Sequence, residues 1–130
     1  MTLAKERTPL RVLLVEDSIR IAERICDLVQ TEAGAAVVYV AVDEQGAIRA
    51  AREYDVDVMI LDLQLRKGTG FGVLLALGSA RPTTIIMTNF ALPYYRVKAM
   101  TLGVEYFLDK SVHFEQLLQI LEDISSQRCA

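Results

Sequence analysis

The arrangement that most narrows what this chain can fold into is a fivefold alternation of short apolar runs with longer segments of helical periodicity. The runs span Arg11 to Val15, Ala36 to Val42, Val56 to Leu61, Thr84 to Met87 and Val104 to Leu108. They are rich in Val, Ile, Leu and Met and lack the polar alternation of a half-exposed strand, so each predicts a strand buried on both faces. Ile21, Ile25 and Leu28 recur at helical spacing after the first run, and Phe114, Leu117, Leu118 and Leu121 do so after the last, which predicts amphipathic helices at both places. Ser18 and Ser111 are placed to cap those helices, and Asp43 to cap a second helix running through Tyr54. Phe71 to Gly78 predicts a short third helix, and Pro93 suits the first turn of a fourth that runs to Leu102. Gly34, Gly78 and Gly103 read as helix stops. Parallel neighbours need crossover connections, and these are right-handed. Five buried strands alternating with five helices therefore imply an α/β, doubly wound, five-stranded parallel sheet with helices on both faces.

The 130 residues suit one domain spanning 1–130, with a frayed start over 1–9 and a polar tail over 125–130. With 52% hydrophobic residues, a sizeable core is available. The net charge of −3 sets 14 Lys and Arg against 17 Asp and Glu without a long run of like charge, so direct binding to nucleic acid or to a membrane surface is not expected. The apolar runs are far shorter than the roughly 20 residues that span a bilayer. The run from Leu10 to Val15 leads straight into acids rather than a small-residue cleavage site, so a cytoplasmic location is expected. Cys26 lies in a helical pattern and Cys129 near the end, with neither CxxC spacing nor a His cluster. They read as a buried thiol and a thiol in a loose tail.

In a sheet of this class the carboxyl ends of the strands open on one edge, where ligands gather. The first strand ends in Glu16 and Asp17, the third in Asp62, the fourth in Thr88 and Asn89, and the fifth in Asp109 and Lys110. Three carboxylates converging there repel by about 1 kcal/mol per pair in water, and several-fold more where the effective dielectric falls to about 20. A hard divalent cation relieves that repulsion. Asp17, Asp62, the main-chain carbonyl of Gln64 and waters held by Glu16 make a reasonable oxygen shell for Mg²⁺. Thr88 offers a hydroxyl donor and Lys110 a compact positive charge, both suited to phosphoryl oxygens. A carboxylate can act as nucleophile toward phosphorus and form an acyl phosphate, and such transfer needs mainly positioning and charge stabilisation. Taken singly, each residue has an ordinary reading: Asp17 as a helix cap or loop charge, Thr88 as a β-branched strand residue, Lys110 as a solvated cation. Complementary groups at four of five strand ends are what carry the chemistry.

The segments LLVEDS (Leu13 to Ser18), VMILDLQL (Val58 to Leu65), Gly70, IIMTNF (Ile85 to Phe90) and GVEYFLDK (Gly103 to Lys110), with the spacings between them, resemble the receiver domains of two-component response regulators over nearly the whole chain. The resemblance implies the flavodoxin-like strand order 2-1-3-4-5. It makes Glu16 and Asp17 the acidic metal-binding pair and Asp62 the acceptor of a phosphoryl group from a histidine kinase or histidine phosphotransfer protein. Thr88 becomes the switch hydroxyl, Lys110 the partner of the phosphate and Phe107 the switch aromatic, with Tyr106 on the other face. Bound phosphate is then expected to draw Thr88 inward and let Phe107 pack into the vacated space.

The chain departs from the family in several places. Asn89 stands where a small residue usually follows the switch hydroxyl, and an altered phosphoryl lifetime is expected from it. Ser111 replaces the usual Pro after Lys110, which leaves the Lys110–Ser111 bond open between cis and trans. Arg66 and Lys67 add two cations beside the site, read as a solvated loop or as an attraction for an acidic partner. Gly68, Gly70 and Gly72 lack the spacing and position of a nucleotide loop and read as turn glycines, and His113 reads as an exposed residue of the last helix.

The expected function is a phosphorylation-controlled signalling module rather than an enzyme. Its output would pass to a downstream protein partner, to an output domain outside this sequence, or to a second copy of the chain, through the face of the fourth helix, fifth strand and fifth helix. Tyr94, Tyr95, Arg96 and Lys98 are candidate contacts there. The alternative is a pseudo-receiver that binds partners without phosphorylation. A phosphohydrolase would want a second acid two residues after Asp62, and Gln64 cannot exchange a proton in that way.

Overall fold

The computed structural model of the chain describes residues 8–32, 34–89, 91–111 and 114–128. Cys129 and His113 lie outside them. Strands β1 (Leu10–Val15), β2 (Ala35–Ala41), β3 (Val58–Leu61), β4 (Thr83–Thr88) and β5 (Tyr106–Asp109) alternate with helices α1 (Ile19–Glu32), α2 (Glu44–Glu53), α3 (Gly70–Leu77), α4 (Pro93–Thr101) and α5 (Gln116–Arg128). The strands form one parallel sheet in the order β2-β1-β3-β4-β5, as expected. Among the described residues no helix is long and apolar enough to cross a membrane.

The period of two along each strand divides the core between the sheet's faces. Leu13, Val15, Met59, Leu61 and Ile86 point to the face that also buries Ala47, Ile48, Phe71, Leu74 and Ala99 of α2, α3 and α4. Val12, Leu14, Ile60, Ile85 and Met87 point to the other, against Ile25 and Val29 of α1 and Leu117 and Leu121 of α5. β3 is buried along its whole length. β2 departs from the expectation of two buried faces, since Tyr39 and Val40 are exposed. It has a hydrogen-bonded neighbour on one side only, and its register against β1 shifts between Val12 and Leu13. Tyr39 covers itself by stacking on Tyr54, ring centroids 5.3 Å apart.

The caps explain most of the helix limits. The Ser18 hydroxyl accepts from the Ile21 N–H at 3.4 Å, and the Asp43 carboxylate accepts from the Gly46 N–H at 2.8 Å. Gly34, Gly78 and Gly103 follow α1, α3 and α4 at positive φ, as helix stops. Two expectations need correction. Ser111 does not cap the last helix: its N–H and hydroxyl both donate to Asp109 Oδ1, at 2.9 and 2.6 Å, in a turn that comes before α5 starts at Gln116. The tail from Ser125 is helical as far as Arg128, because Ile124 continues the stripe of Leu117 and Leu121 against the core. The first helix is amphipathic as expected: α1 buries Ala22, Ile25 and Val29, with Ile21 and Leu28 half-buried beside them.

Candidate functional site

Main-chain bonds just beyond the strands bring the strand ends together. The Glu16 N–H donates to Ala41 O (2.9 Å), the Asp62 N–H to Val15 O (3.1 Å) and the Lys110 N–H to Thr88 O (3.0 Å). The residues that follow β1, β3 and β5 are thereby held at one edge of the sheet, which is why polar groups directly after apolar runs converge here.

Lys110 sits at the centre. Its ammonium donates to Glu16 Oε1 at 2.5 Å and to Asp62 Oδ2 at 2.8 Å, with the Lys110 side chain 7% exposed and the Glu16 side chain 2%. Burial alone would lower its pKa, but the hydrogen bonds and negative charges of Asp62 and Glu16 outweigh that and hold the ammonium above its ordinary value. The remaining carboxylate oxygens also have main-chain donors: Glu16 Oε2 accepts from the Ser18 N–H at 3.0 Å and Asp62 Oδ1 from the Gln64 N–H at 3.3 Å.

One carboxylate oxygen each from Glu16, Asp17 and Asp62 lies within 4.8 Å of the others. Three carboxylates against one ammonium leave an excess of hard oxygen donors and of negative charge, and two of the acids are buried. That donor set fits a hard divalent cation of the Mg²⁺ type. Gln64 stands beside Asp62, in an isolated antiparallel bridge with Thr69. Gly70 is required where this loop returns, because a Cβ there would lie 2.5 Å from Asp62 O and 3.0 Å from the Leu63 Cα.

Thr88 is fully buried at the end of β4, in register with Asp109, and Asn89 beyond it is exposed. Phe107 is 7% exposed and belongs to the core on the α4 side, while Tyr106 packs on the opposite face. The Arg96 guanidinium lies 4.7 Å from the centroid of the Phe107 ring and donates to Phe107 O at 3.5 Å. The Lys110–Ser111 peptide is trans. On α4, Tyr94 is exposed and Tyr95 turns inward toward Phe71, with centroids 6.1 Å apart, while Lys98 lies over the Phe71 ring. Arg66 and Lys67 are exposed on the loop after β3. Cys26 is half-buried rather than buried as expected, and that burial raises its thiol pKa, helped by the charges of Asp27 and Glu23.

Sequence reasoning does not single out Glu44. Its carboxylate accepts from the Thr69 N–H at 3.0 Å and so reaches the loop after β3. The only trace of this in the sequence is the glycine at positions 68 and 72, opposite its side chain.

A family model, response regulator receiver domain, matches residues 12–122. Among curated relatives, the protein-glutamate methylesterase/protein-glutamine glutaminase 2 of Anaeromyxobacter dehalogenans is 31% identical over 85% of this chain and 33% of its own length. The cell cycle response regulator CtrA of Brucella ovis is 30% identical over 84% of this chain and 47% of its own. The chain thus spans a third to a half of the length of these relatives. A two-component response regulator of the LuxR family from Aurantimonas superposes with a TM-score of 0.83 at 26% identity, over 92% of this chain and 86% of that one.

Proposed function

The chain belongs to the response regulator receiver domain family, and on that premise we propose that it is a phosphoacceptor in which Asp62 takes a phosphoryl group with the help of Mg²⁺. Receiver domains are the signalling parts of two-component response regulators. The observation that carries the finer reading is Asp62 itself. It is buried to 7% exposure, bonded to Lys110 at 2.8 Å, and has an oxygen within 4.8 Å of carboxylate oxygens from both Glu16 and Asp17.

In the proposed reaction an Asp62 carboxylate oxygen attacks the phosphorus of a phosphohistidine on a histidine kinase or histidine phosphotransfer protein. The P–O bond forms as the P–N bond breaks, and the electron pair leaves with the imidazole nitrogen. Lys110 gives up its bond to Asp62 and pairs with a phosphoryl oxygen, staying tethered to Glu16. The Thr88 hydroxyl donates to a second phosphoryl oxygen. Asp17, Asp62 and the Gln64 main-chain carbonyl, with waters held by Glu16, would bind the Mg²⁺, which neutralises charge on the transferred group. Phe107 already lies in the core, so its response to Thr88 is a repacking beneath Arg96, transmitted to α4.

The signal leaves through the α4, β5 and α5 face to a downstream protein, to an output domain in the same polypeptide, or to a second copy of the chain. Incubation with Mg²⁺ and acetyl phosphate, followed by intact mass, tests the reading. One added phosphoryl group is expected for the unsubstituted protein and none for Asp62→Asn. Uptake that survives in Asp62→Asn removes Asp62 as the acceptor. No uptake by either, together with no binding of beryllofluoride, leaves a phosphorylation-independent binding module.

A further inference from the structure

The start of α2 and the loop between β3 and α3 are joined by main-chain and side-chain hydrogen bonds. The Glu44 N–H donates to Lys67 O at 3.0 Å, and the Arg66 N–H donates to Val42 O at 3.4 Å. Between these main-chain ties, Glu44 Oε1 accepts from the Thr69 N–H at 3.0 Å. Thr69 is a junction residue: it bridges back to Gln64, and its hydroxyl caps α3 by accepting from the Gly72 N–H at 3.0 Å.

The chain leaves room for this carboxylate. A Cβ on Gly72 would stand 2.5 Å from the Glu44 carboxyl carbon, and a Cβ on Gly68 would stand 2.5 Å from the Glu44 Cβ. Gly68 also has φ of +86°, where a side chain is strained even in open space. At Gly68 the obstacle includes the Glu44 Cβ, which stands next to the main chain and cannot swing aside as a carboxylate can. The Glu44 side chain is seated between the two glycines at the amino end of α3, where its negative charge also meets the positive end of the helix dipole.

We propose that Glu44 is a positioning residue for the metal site, acting through Thr69 to fix the loop that carries Asp62 and Gln64. The inference rests on the reading of those two residues as Mg²⁺ ligands. Mg²⁺ tolerates little departure from octahedral placement, so a loop that wanders by a few tenths of an ångström binds it less well. Supporting residues beyond the ligands commonly govern affinity by about 10–100-fold. Glu44 acts one residue further out through the Gln64–Thr69 bridge, which puts the expected effect at the lower end of that range.

The experiment measures the Mg²⁺ dissociation constant by calorimetry and the exchange rate of the Thr69 amide hydrogen, for the unsubstituted chain, Glu44→Ala, Glu44→Gln and Glu44→Asp, with Asp17→Asn as the metal-site control. Glu44→Ala is expected to weaken Mg²⁺ about tenfold and to speed Thr69 exchange. Glu44→Gln still offers an oxygen to the Thr69 N–H and is expected to bind Mg²⁺ within about twofold of the unsubstituted chain. Glu44→Asp keeps the charge but falls a methylene short of Thr69, so it should resemble Glu44→Ala and carries the test if Glu44→Ala does not fold. Unchanged Mg²⁺ affinity in Glu44→Ala or Glu44→Asp overturns the inference and leaves the phosphoacceptor reading intact. A Glu44→Gln variant as weak as Glu44→Ala also overturns it. Failure of the unsubstituted chain to bind Mg²⁺ overturns the metal reading and this inference together.

Discussion

Lys110 holds together two acids, Glu16 and Asp62, that are buried and would otherwise repel each other. Removing one partner of a buried charge cluster is far more damaging than its net contribution suggests, because the remaining charges lose their compensation. Lys110→Ala is therefore expected to lower stability by about 3 kcal/mol in chelator, measured by urea unfolding, and Mg²⁺ should restore more stability to the variant than to the unsubstituted chain. The pH dependence has a definite sign. The folded pKa of Lys110 lies above its ordinary value of 10.5. Its stabilisation is thus complete below that value and is lost as pH rises through the folded one. Alkaline titration should show a loss of stability above that ordinary value that is absent in Lys110→Ala. Asn89, exposed just past the buried Thr88, belongs to the same scale. Asn89→Ala is expected to change the rate at which phosphorylated Asp62 loses its phosphate, followed by intact mass over time, and an unchanged rate removes Asn89 from the site.

At the scale of elements, the loop between β3 and α3 carries Asp62 and Gln64 of the candidate site. It folds back on itself through the Gln64–Thr69 bridge and a 3.0 Å bond from the Gly70 N–H to Leu63 O. A methyl group on Gly70 would press on main-chain atoms of Asp62 and Leu63, which cannot swing aside as a side chain can. Gly70→Ala is expected to cost about 1–3 kcal/mol of stability by thermal or urea unfolding. It should also reduce phosphoryl uptake, because the atoms it displaces belong to Asp62, the proposed acceptor. The helices were more legible than their exact faces. Asp43 and Pro93 marked the starts of α2 and α4, whereas Ser111, captured by the carboxylate of Asp109, left the start of α5 to Gln116.

Across the whole molecule, the chemistry gathers at the carboxyl edge of the sheet, while an apolar surface lies on α4. Leu92 just before α4 and Tyr94, Val97 and Met100 on it are each more than half exposed, and exposed apolar groups gathered in this way mark interaction surfaces. Arg96 and the buried Phe107 connect that helix to β5, the strand that leads into Lys110. Beryllofluoride with Mg²⁺ is expected to shift the amide resonances of α4 and β5 well beyond those of α1, measured in a proton–nitrogen correlation spectrum. Unmoved α4 resonances would separate the apolar face from the proposed phosphorylation site.

The alternation of apolar runs with helical periods determined the class of fold by itself, because burial on both faces and the need for crossovers leave a parallel sheet with helices on each side. It also determined which acids, hydroxyl and lysine end the strands, since a polar residue straight after a buried run can only stand at the sheet's edge. Tertiary structure decided what no local pattern encodes. β2 became the half-exposed edge, Lys110 chose Glu16 as well as Asp62, Arg96 came to cover Phe107, and Glu44 was seated against glycines 24 and 28 residues away. The reason is the same in each case: each depends on how separate elements come together, and only their positions in the folded chain fix their distances and their burial.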